Sequence, residues 1–376
     1  MKIQKNGYGF TKNSKINTSI SMKILIIKLN KIGDVLLISP LFSNLKAHYG
    51  EECIIDILVN DGTQGAISRE HLRKIHCLRR PKNPWQKLQA EISLLYAVKR
   101  EKYDMVIGLG SGERTAFLSF WSGAKIRVGY PPHSFWSKSI YNLRLPYKGG
   151  QHTIEYNLEA LRALGIPILS KCVCANIALD CEKLKNLPQY FVHLHLFSSW
   201  FFKCIEDSFC AKIIDFITQT YQLPCILTTS NDPRESEKLQ HILQLTKSKP
   251  IVFNGNLSLG EVSLLNSKAL AFIGVDTGVM HLSAANNTPT FAFFGPTSPM
   301  TWGPWDNDLQ DSTYLARNGI QSMGKHCVYQ EPLPCVPCDR DGCNGSKKSD
   351  CLLGKLDENL ALKTLQDFLT PLMPTN

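Results

Sequence analysis

Short apolar runs alternate with amphipathic stretches along most of the chain. "KILIIKL" (23–29), "CIIDILV" (53–59), "DMVIGL" (104–109) and "KIRVGY" (125–130) have the length and near-continuous apolar character of strands buried on both faces. Between them, "VLLISPLFSNLKAHY" (35–49) predicts a helix broken or kinked at Pro40. Further helices are predicted over 86–100, in "ERTAFLSFWSG" (113–123) and in "TIEYNLEALRALG" (153–165), the last stopped by Gly165 and Pro167. The polar stretch "DCEKLKNLP" (180–188) reads as a linker, and beyond it the alternation restarts. Strands are predicted at "YFVHLHLF", "PCILTTS" (224–230) and "IVFNG", with helices over 206–221 and 233–246. Finally "ALAFIGV" (269–275) and "TFAFF" (290–294) read as strands flanking the helix-like "DTGVMHLSAANN".

Two successive strand and helix series predict an α/β chain of two Rossmann-like domains, each built on an open parallel sheet. The expected divisions are 22–178, a linker at 179–188, a second domain at 189–354, and a final helix within 355–376. Ligands of such sheets bind beyond the carboxyl ends of the strands, so a cleft between the domains is the expected site.

With 376 residues the chain is long enough for two cores. No apolar run approaches the roughly 20 residues that span a bilayer. The first 21 residues hold four lysines, no acid and no apolar core of a secretory signal, and read as a disordered tail or upstream extension. Without those four lysines the formal charge falls from +10 to +6, still an excess that favours an anionic partner. "RKIHCLRRPKNPWQK" (73–87) is the densest basic stretch, a solvated loop or an anion contact. The 13 cysteines are odd in number and mostly sit in apolar segments, which suits a reduced cytoplasmic compartment better than a disulfide framework.

Several residues could carry chemistry. After the first strand, "NKIGDVLL" places Gly33 and Asp34 at the sheet's carboxyl edge. Asp34 is either an acid stabilised by a helix N-terminus or a carboxylate poised as a general base. No G-x-G-x-x-G follows that strand, which argues against a dinucleotide site, and "GLGSGE" (108–113) has the wrong spacing. "SSWFFKC" (198–204) offers Ser198, Ser199 and Lys203 to phosphate oxygens. In "DTGVMH", Asp276 or Thr277 can cap a helix while Gly278 lets a ligand approach its free N–H groups. That makes an anion site or simply a capped helix with His281 packed below. Cys335, Cys338, Cys343 and Cys351, spaced C-x2-C-x4-C-x7-C, could hold zinc or be free thiols in a loop.

Together these segments resemble glycosyltransferase family nine, the bacterial lipopolysaccharide heptosyltransferases. The resemblance rests on "KILIIKLNKIGDVLLISPLFSNLK", on "DTGVMHLSAANNTPTFAFFGPTSPMTWGP", and on "YDMVIGL", "SGAKIRVGY" and "HTIEYNLEALRALGI" between them. "SSWFFKC" and the cysteine run look most like the heptosyltransferase III branch. The resemblance implies a GT-B fold, with an acceptor domain, a nucleotide-sugar domain and a final helix packing back on the first. It implies inverting transfer from ADP-L-glycero-D-manno-heptose to the lipopolysaccharide inner core, without a required metal, at the cytoplasmic face of the inner membrane. Asp34 would be the base. Lys203 and the Thr277, Gly278, Val279 and Met280 backbone would hold the diphosphate, and Asp276 and His281 would shape the donor pocket. An acid of "DPRESE", Glu235 or Glu237, would contact the donor, and Gly33, Arg79, Arg80 and Lys82 would meet the acidic acceptor. The alternatives are a related transferase with another nucleotide sugar or acidic glycan and, more distantly, a zinc-dependent nucleic-acid binder. The latter has no nucleic-acid module to support it.

Overall fold

β1 (Lys23–Lys28) illustrates how the first sheet is made. Ile24 and Ile26 point into one core, while Leu25 and Ile27 point into a second core on the other face. Burial on both faces is the reason its sequence is continuously apolar. The computed structural model describes residues 21–132, 134 and 139–374, so the expectation for the first 20 residues lies outside them.

The first domain adds α1 (Ile32–Leu36), α2 (Pro40–Tyr49), β2 (Ile54–Asn60), β3 (Lys74–Leu78), α3 (Pro84–Arg100), β4 (Met105–Gly108), α4 (Glu113–Trp121), β5 (Ile126–Gly129), β6 (Leu143–Arg144) and α5 (Thr153–Ala163). Its strands run in the order β3-β2-β1-β4-β5-β6, and every pair is parallel. Pro40 stands at the first position of α2, so the predicted kink is a division into two helices.

β3 lies where a solvated basic loop was expected. The charges at its start are paired: the Arg73 guanidinium reaches Asp56 and Glu101, Lys74 meets Glu101 at 3.1 Å, and buried His76 lies 2.9 Å from the Tyr103 hydroxyl. Ion pairing with β2 thus hides a strand inside a basic sequence.

The second domain comprises β7 (Val192–His195), α6 (Asp207–Tyr221), β8 (Cys225–Thr229), α7 (Pro233–Leu245), β9 (Ile251–Asn254), α8 (Leu259–Lys268), β10 (Ala271–Val275), α9 (Gly278–Ala285), β11 (Thr290–Phe294), α10 (Pro299–Trp302), β12 (Gln321–Met323), β13 (His326–Gln330) and α11 (Glu358–Leu369). The order is β12-β13-β11-β10-β7-β8-β9, parallel except for β12 on β13. α8 occupies a stretch whose apolar pattern predicts no element. A capping box, Ser258 with Glu261, starts it.

Within the stretch read as a linker, Cys181 and Leu184 are buried with Phe191, Ile226 and Leu265 of the second domain. The final helix does not pack on the first domain. Ala361, Leu365 and Leu369 of α11 fill the second core, Phe368 lies 5.5 Å from Phe291 between ring centres, and the Tyr221 hydroxyl meets Thr370 at 3.0 Å. Each large apolar side chain so buried contributes on the order of 1.5–3 kcal/mol.

The domains meet through α1 and α9. A Cβ on Gly33 would stand 2.7 Å from His281 Cδ2, and one on Gly278 would stand 2.9 Å from Ile32. Glycine at both positions lets the two backbones approach. A second link between the domains is the Thr153 hydroxyl, which donates to the Thr301 carbonyl at 2.9 Å. His152 Nδ1 accepts from the Ile154 N–H, which leaves Nε2 to donate to the Gly303 carbonyl at 3.0 Å.

Burial keeps several histidines neutral. It lowers His152 and His326 to about 4, and His193 and His281 to about 3. Their folded values lie below the unfolded value near 6.5, so the unfolded chain binds protons that the folded chain refuses. Stability is therefore full above about pH 6.5 and falls as the pH drops towards 4, by up to ~1.4 kcal/mol per pH unit for each histidine. A melting series should show Tm falling by on the order of 10 °C between pH 7 and pH 5. An unchanged Tm would mean that these rings are protonated in the fold.

Candidate active site

A cleft of about 620 Å³ lies between the carboxyl edges of the two sheets, with walls from both domains. The first domain contributes Gly33 and Asp34 at the start of α1, with Lys31 and Ile32 before them. Asp61, Gly62 and Thr63 follow from the turn after β2. Facing them from the second domain are Ser198 and Ser199 after β7, Lys203, Glu235 of α7, and Asp276 to Val279 with His281 at the start of α9.

On the first domain's side, Asp34 is largely sheltered, and its Oδ1 lies 3.8 Å from Lys28 Nζ. Lys28 occupies the Ile24/Ile26 face at the end of β1 and also donates to the Leu109 carbonyl at 3.2 Å and to Asn157 Oδ1 at 3.4 Å. Burial pulls the Lys28 ammonium below its ordinary pKa, and Asp34 pulls it back up. The pair therefore gives the carboxylate a fixed cationic neighbour. Motif reading assigned Lys28 no role, although a lysine ending the apolar run Ile24 to Ile27 was a visible signal.

Opposite, Lys203 Nζ lies 2.5 Å from Asp276 Oδ2, which also accepts from the Thr297 hydroxyl at 2.6 Å. Asp276 is buried and directly follows β10, just ahead of Thr277, which caps α9. The carboxylate, itself bonded by the Thr297 hydroxyl, holds the ammonium beside the start of the helix. Thr277 Oγ1 accepts from the Met280 N–H at 3.4 Å. Met280 itself is fully buried and lines no part of the cleft. Its N–H serves the cap, whereas Gly278 and Val279, whose N–H groups have no intrahelical acceptor, line the cleft. Helix N-termini with a nearby ammonium form an anion site.

His281 is buried below this site, 6.4 Å from Trp302 between ring centres, with Nδ1 lacking a hydrogen-bond partner. Its low pKa, caused first by burial and opposed by Asp276, keeps it neutral. The structure also separates the two candidate acids: Glu235 is buried, lines the cleft and accepts from the Ser230 N–H at 2.7 Å, whereas Glu237 is exposed. Ser198 is buried and Ser199 exposed on the same wall. Lys31 Nζ lies 5.3 Å above the Trp200 ring and bridges the domains.

Arg79, Arg80 and Lys82 do not line the main cleft. Arg80 shares a recess with Asp61, and Arg79 and Arg80 share another with the same aspartate, so both adjoin the cleft through Asp61. Lys82 is exposed and lines neither recess.

The loop after β13 brings Asp339, Arg340 and Asp341 to the cleft, held by the Cys338 and Asp339 N–H groups on the Pro296 carbonyl. No motif pointed to Arg340. For the cysteines around it, zinc was one of two readings, free thiols in a loop the other. Among the described residues no three of His, Cys, Asp or Glu are grouped so as to hold a metal ion. Cys335 and Cys338 are exposed, whereas Cys351 is buried in the second core, where burial pushes its thiol up to about 12.

Residues 92–331 match the model of a family described as glycosyltransferase family 9 (heptosyltransferase). The chain is 28% identical over 294 residues to the lipopolysaccharide heptosyltransferase 3 of Escherichia coli, a match covering 74% of this chain and 84% of that one. It is 25% identical over 333 residues to the lipooligosaccharide heptosyltransferase 2 of Haemophilus influenzae, covering 81% and 94%. Among solved structures, a glycosyl transferase family 9 protein of Veillonella parvula superposes with a TM-score of 0.70 at 20% identity, over 94% of this chain and 99% of that one. The E. coli heptosyltransferase WaaC, solved with ADP, gives 0.67 at 19% identity over 92% and 100%. The two facing sheets thus form a GT-B fold.

Proposed function

The chain belongs to glycosyltransferase family 9, the heptosyltransferases, and from this premise we propose that it moves L-glycero-D-manno-heptose from ADP-heptose to the lipopolysaccharide inner core. The names of its relatives support that substrate class and the heptosyltransferase III branch. The observation that carries the reading is that Asp34 and the Lys203–Asp276–α9 group face one cleft from opposite domains.

In the proposed reaction the acceptor hydroxyl oxygen attacks the anomeric carbon as the bond from that carbon to the diphosphate oxygen breaks. Asp34 takes the hydroxyl proton, and Lys28 keeps its carboxylate oriented. ADP leaves with the bonding electron pair. Its growing negative charge meets Lys203 and the Gly278 and Val279 N–H groups, preorganised donors of the kind that lower such barriers. Attack and departure on opposite faces invert the anomeric centre. The family resemblance implies no required metal for this step. The same reading has the enzyme working at the cytoplasmic face of the inner membrane, where lipid-linked cores are assembled.

The test is transfer from ADP-heptose to a panel of truncated lipopolysaccharide cores, read by mass spectrometry. Addition of one heptose to one core supports the reading; ADP binding without transfer to any core overturns it. In the same assay the double variant Arg79→Glu/Arg80→Glu should raise the acceptor KM about tenfold and leave the donor KM unchanged. That expectation follows from their position beside Asp61, next to an acceptor rich in acidic groups. An unmoved acceptor KM would remove both arginines from recognition.

A further inference from the structure

Helix α3 leaves much of its apolar surface in solvent. Only Leu94 and Val98 are buried, while Trp85, Ile92 and Tyr96 are 76%, 57% and 66% exposed, and Leu88 lies between them along the same face. These positions are three or four residues apart, so they form one stripe. α4 packs alongside, with the Trp121 indole N–H donating to the Leu95 carbonyl at 2.8 Å, and it presents Phe117 and Phe120, the latter 61% exposed. Between the helices runs an apolar groove of about 330 Å³ floored by Leu94, Leu95 and Leu118, with the Glu91–Arg114 ion pair at its edge. Aromatic residues in a contiguous exposed patch of this kind mark an interaction surface.

The charge around the stripe selects the partner. From 79 to 100 the sequence carries six cations, Arg79, Arg80, Lys82, Lys87, Lys99 and Arg100, against the single acid Glu91. All six cations are exposed, at both ends of the helix, and Glu91 is already paired with Arg114. A helix with Trp, Tyr and aliphatic residues on one face and flanking Lys and Arg suits the headgroup boundary of an anionic bilayer. Position in the fold agrees. Asp61, which lines the cleft, also lines the recess formed by Arg79, Arg80, Pro81, Gln86 and Ala90, and the last two belong to the first two turns of α3. A basic track therefore leads from the cleft to the apolar stripe.

We propose that the outer face of α3, with Phe117 and Phe120 of α4, docks on an anionic phospholipid surface and so holds the cleft over a glycan whose lipid stays in the bilayer. The second half of this statement rests on the lipid-linked acceptor proposed above; the docking itself does not. A stripe without the basic ends would suit a second copy of the chain equally well. Six cations beside a copy of themselves would repel, whereas a negatively charged surface attracts them.

The test is co-sedimentation of the full chain with phosphatidylglycerol–phosphatidylethanolamine vesicles and with phosphatidylcholine vesicles, at low and high salt. The wild type should pellet with the anionic vesicles, at least tenfold more than with phosphatidylcholine, and less as salt rises. The variant Trp85→Ser/Ile92→Ser/Tyr96→Ser should lose at least tenfold in vesicle binding while keeping its Tm. If transfer to cores is established, that variant should keep the wild-type kcat on a deacylated, water-soluble core and lose rate only on vesicle-embedded acceptor. Lys87→Glu/Lys99→Glu, farther from the apolar packing, should weaken binding to anionic vesicles alone. Equal pelleting of wild type and triple variant would overturn the proposal. So would a wild-type dimer in solution that the triple variant converts to monomer, because the face would then belong to a second copy. Vesicle binding needs no donor or acceptor, so a failed transfer assay leaves this result readable.

Discussion

Asp34→Asn should lower kcat by about 10²–10⁴-fold, the range that a positioned general base supplies, while ADP affinity stays within a few-fold of wild type. The replacement keeps size and shape but removes the acceptor for the hydroxyl proton. It should not unfold the chain, because the buried Lys28 ammonium keeps its bonds to the Leu109 carbonyl and Asn157. Donor binding should survive because the Lys203, Asp276 and α9 side of the cleft is built from the other domain. Steady-state kinetics with a core acceptor, beside calorimetric titration of ADP, separates the two effects. A kcat within a few-fold of wild type would return Asp34 to the bland role of a charge at a helix N-terminus.

Lys203→Met should cost about 10²–10³-fold in kcat/KM, comparable to removing one preorganised donor from a developing negative charge. Part of that loss comes from what stays behind. Asp276 is buried, and without Lys203 it keeps only the Thr297 hydroxyl and faces the diphosphate as a bare carboxylate. The double variant Lys203→Met/Asp276→Asn should therefore bind ADP more tightly than Lys203→Met alone, by several-fold, without regaining kcat. That non-additivity is the signature of a coupled pair. Additive losses in ADP affinity would show that the ion pair is structural and lies outside the diphosphate site.

The alternation of apolar strands and amphipathic helices was legible because a parallel sheet buried on both faces must be apolar along its whole length, as the two-sided packing of Ile24 to Ile27 demonstrates. It failed where charges are satisfied internally. β3 reads as a basic loop until Arg73, Lys74 and His76 are seen to pair with Asp56, Glu101 and Tyr103. The site was legible through its local turns, since Gly33-Asp34 lies in the first turn of the helix that follows β1, and Asp276-Thr277-Gly278 joins β10 to the next helix. The choice between Glu235 and Glu237 was not, because two residues on one helix differ only in which face the rest of the fold covers.

The sequence alone therefore determined two α/β units, the strand-to-helix turns that carry Asp34 and Thr277, and the family. The elements and turns are set by neighbours within a few residues, through side-chain period, caps and the backbone freedom of glycine. Only the tertiary structure decided that Lys28 stands under Asp34, that Arg340 reaches the cleft, that Met280 gives its N–H to a cap, and that α11 closes the second core instead of returning to the first. Those outcomes depend on distances between segments far apart in the chain. Burial, pairing and packing fix such distances, and no local pattern encodes them.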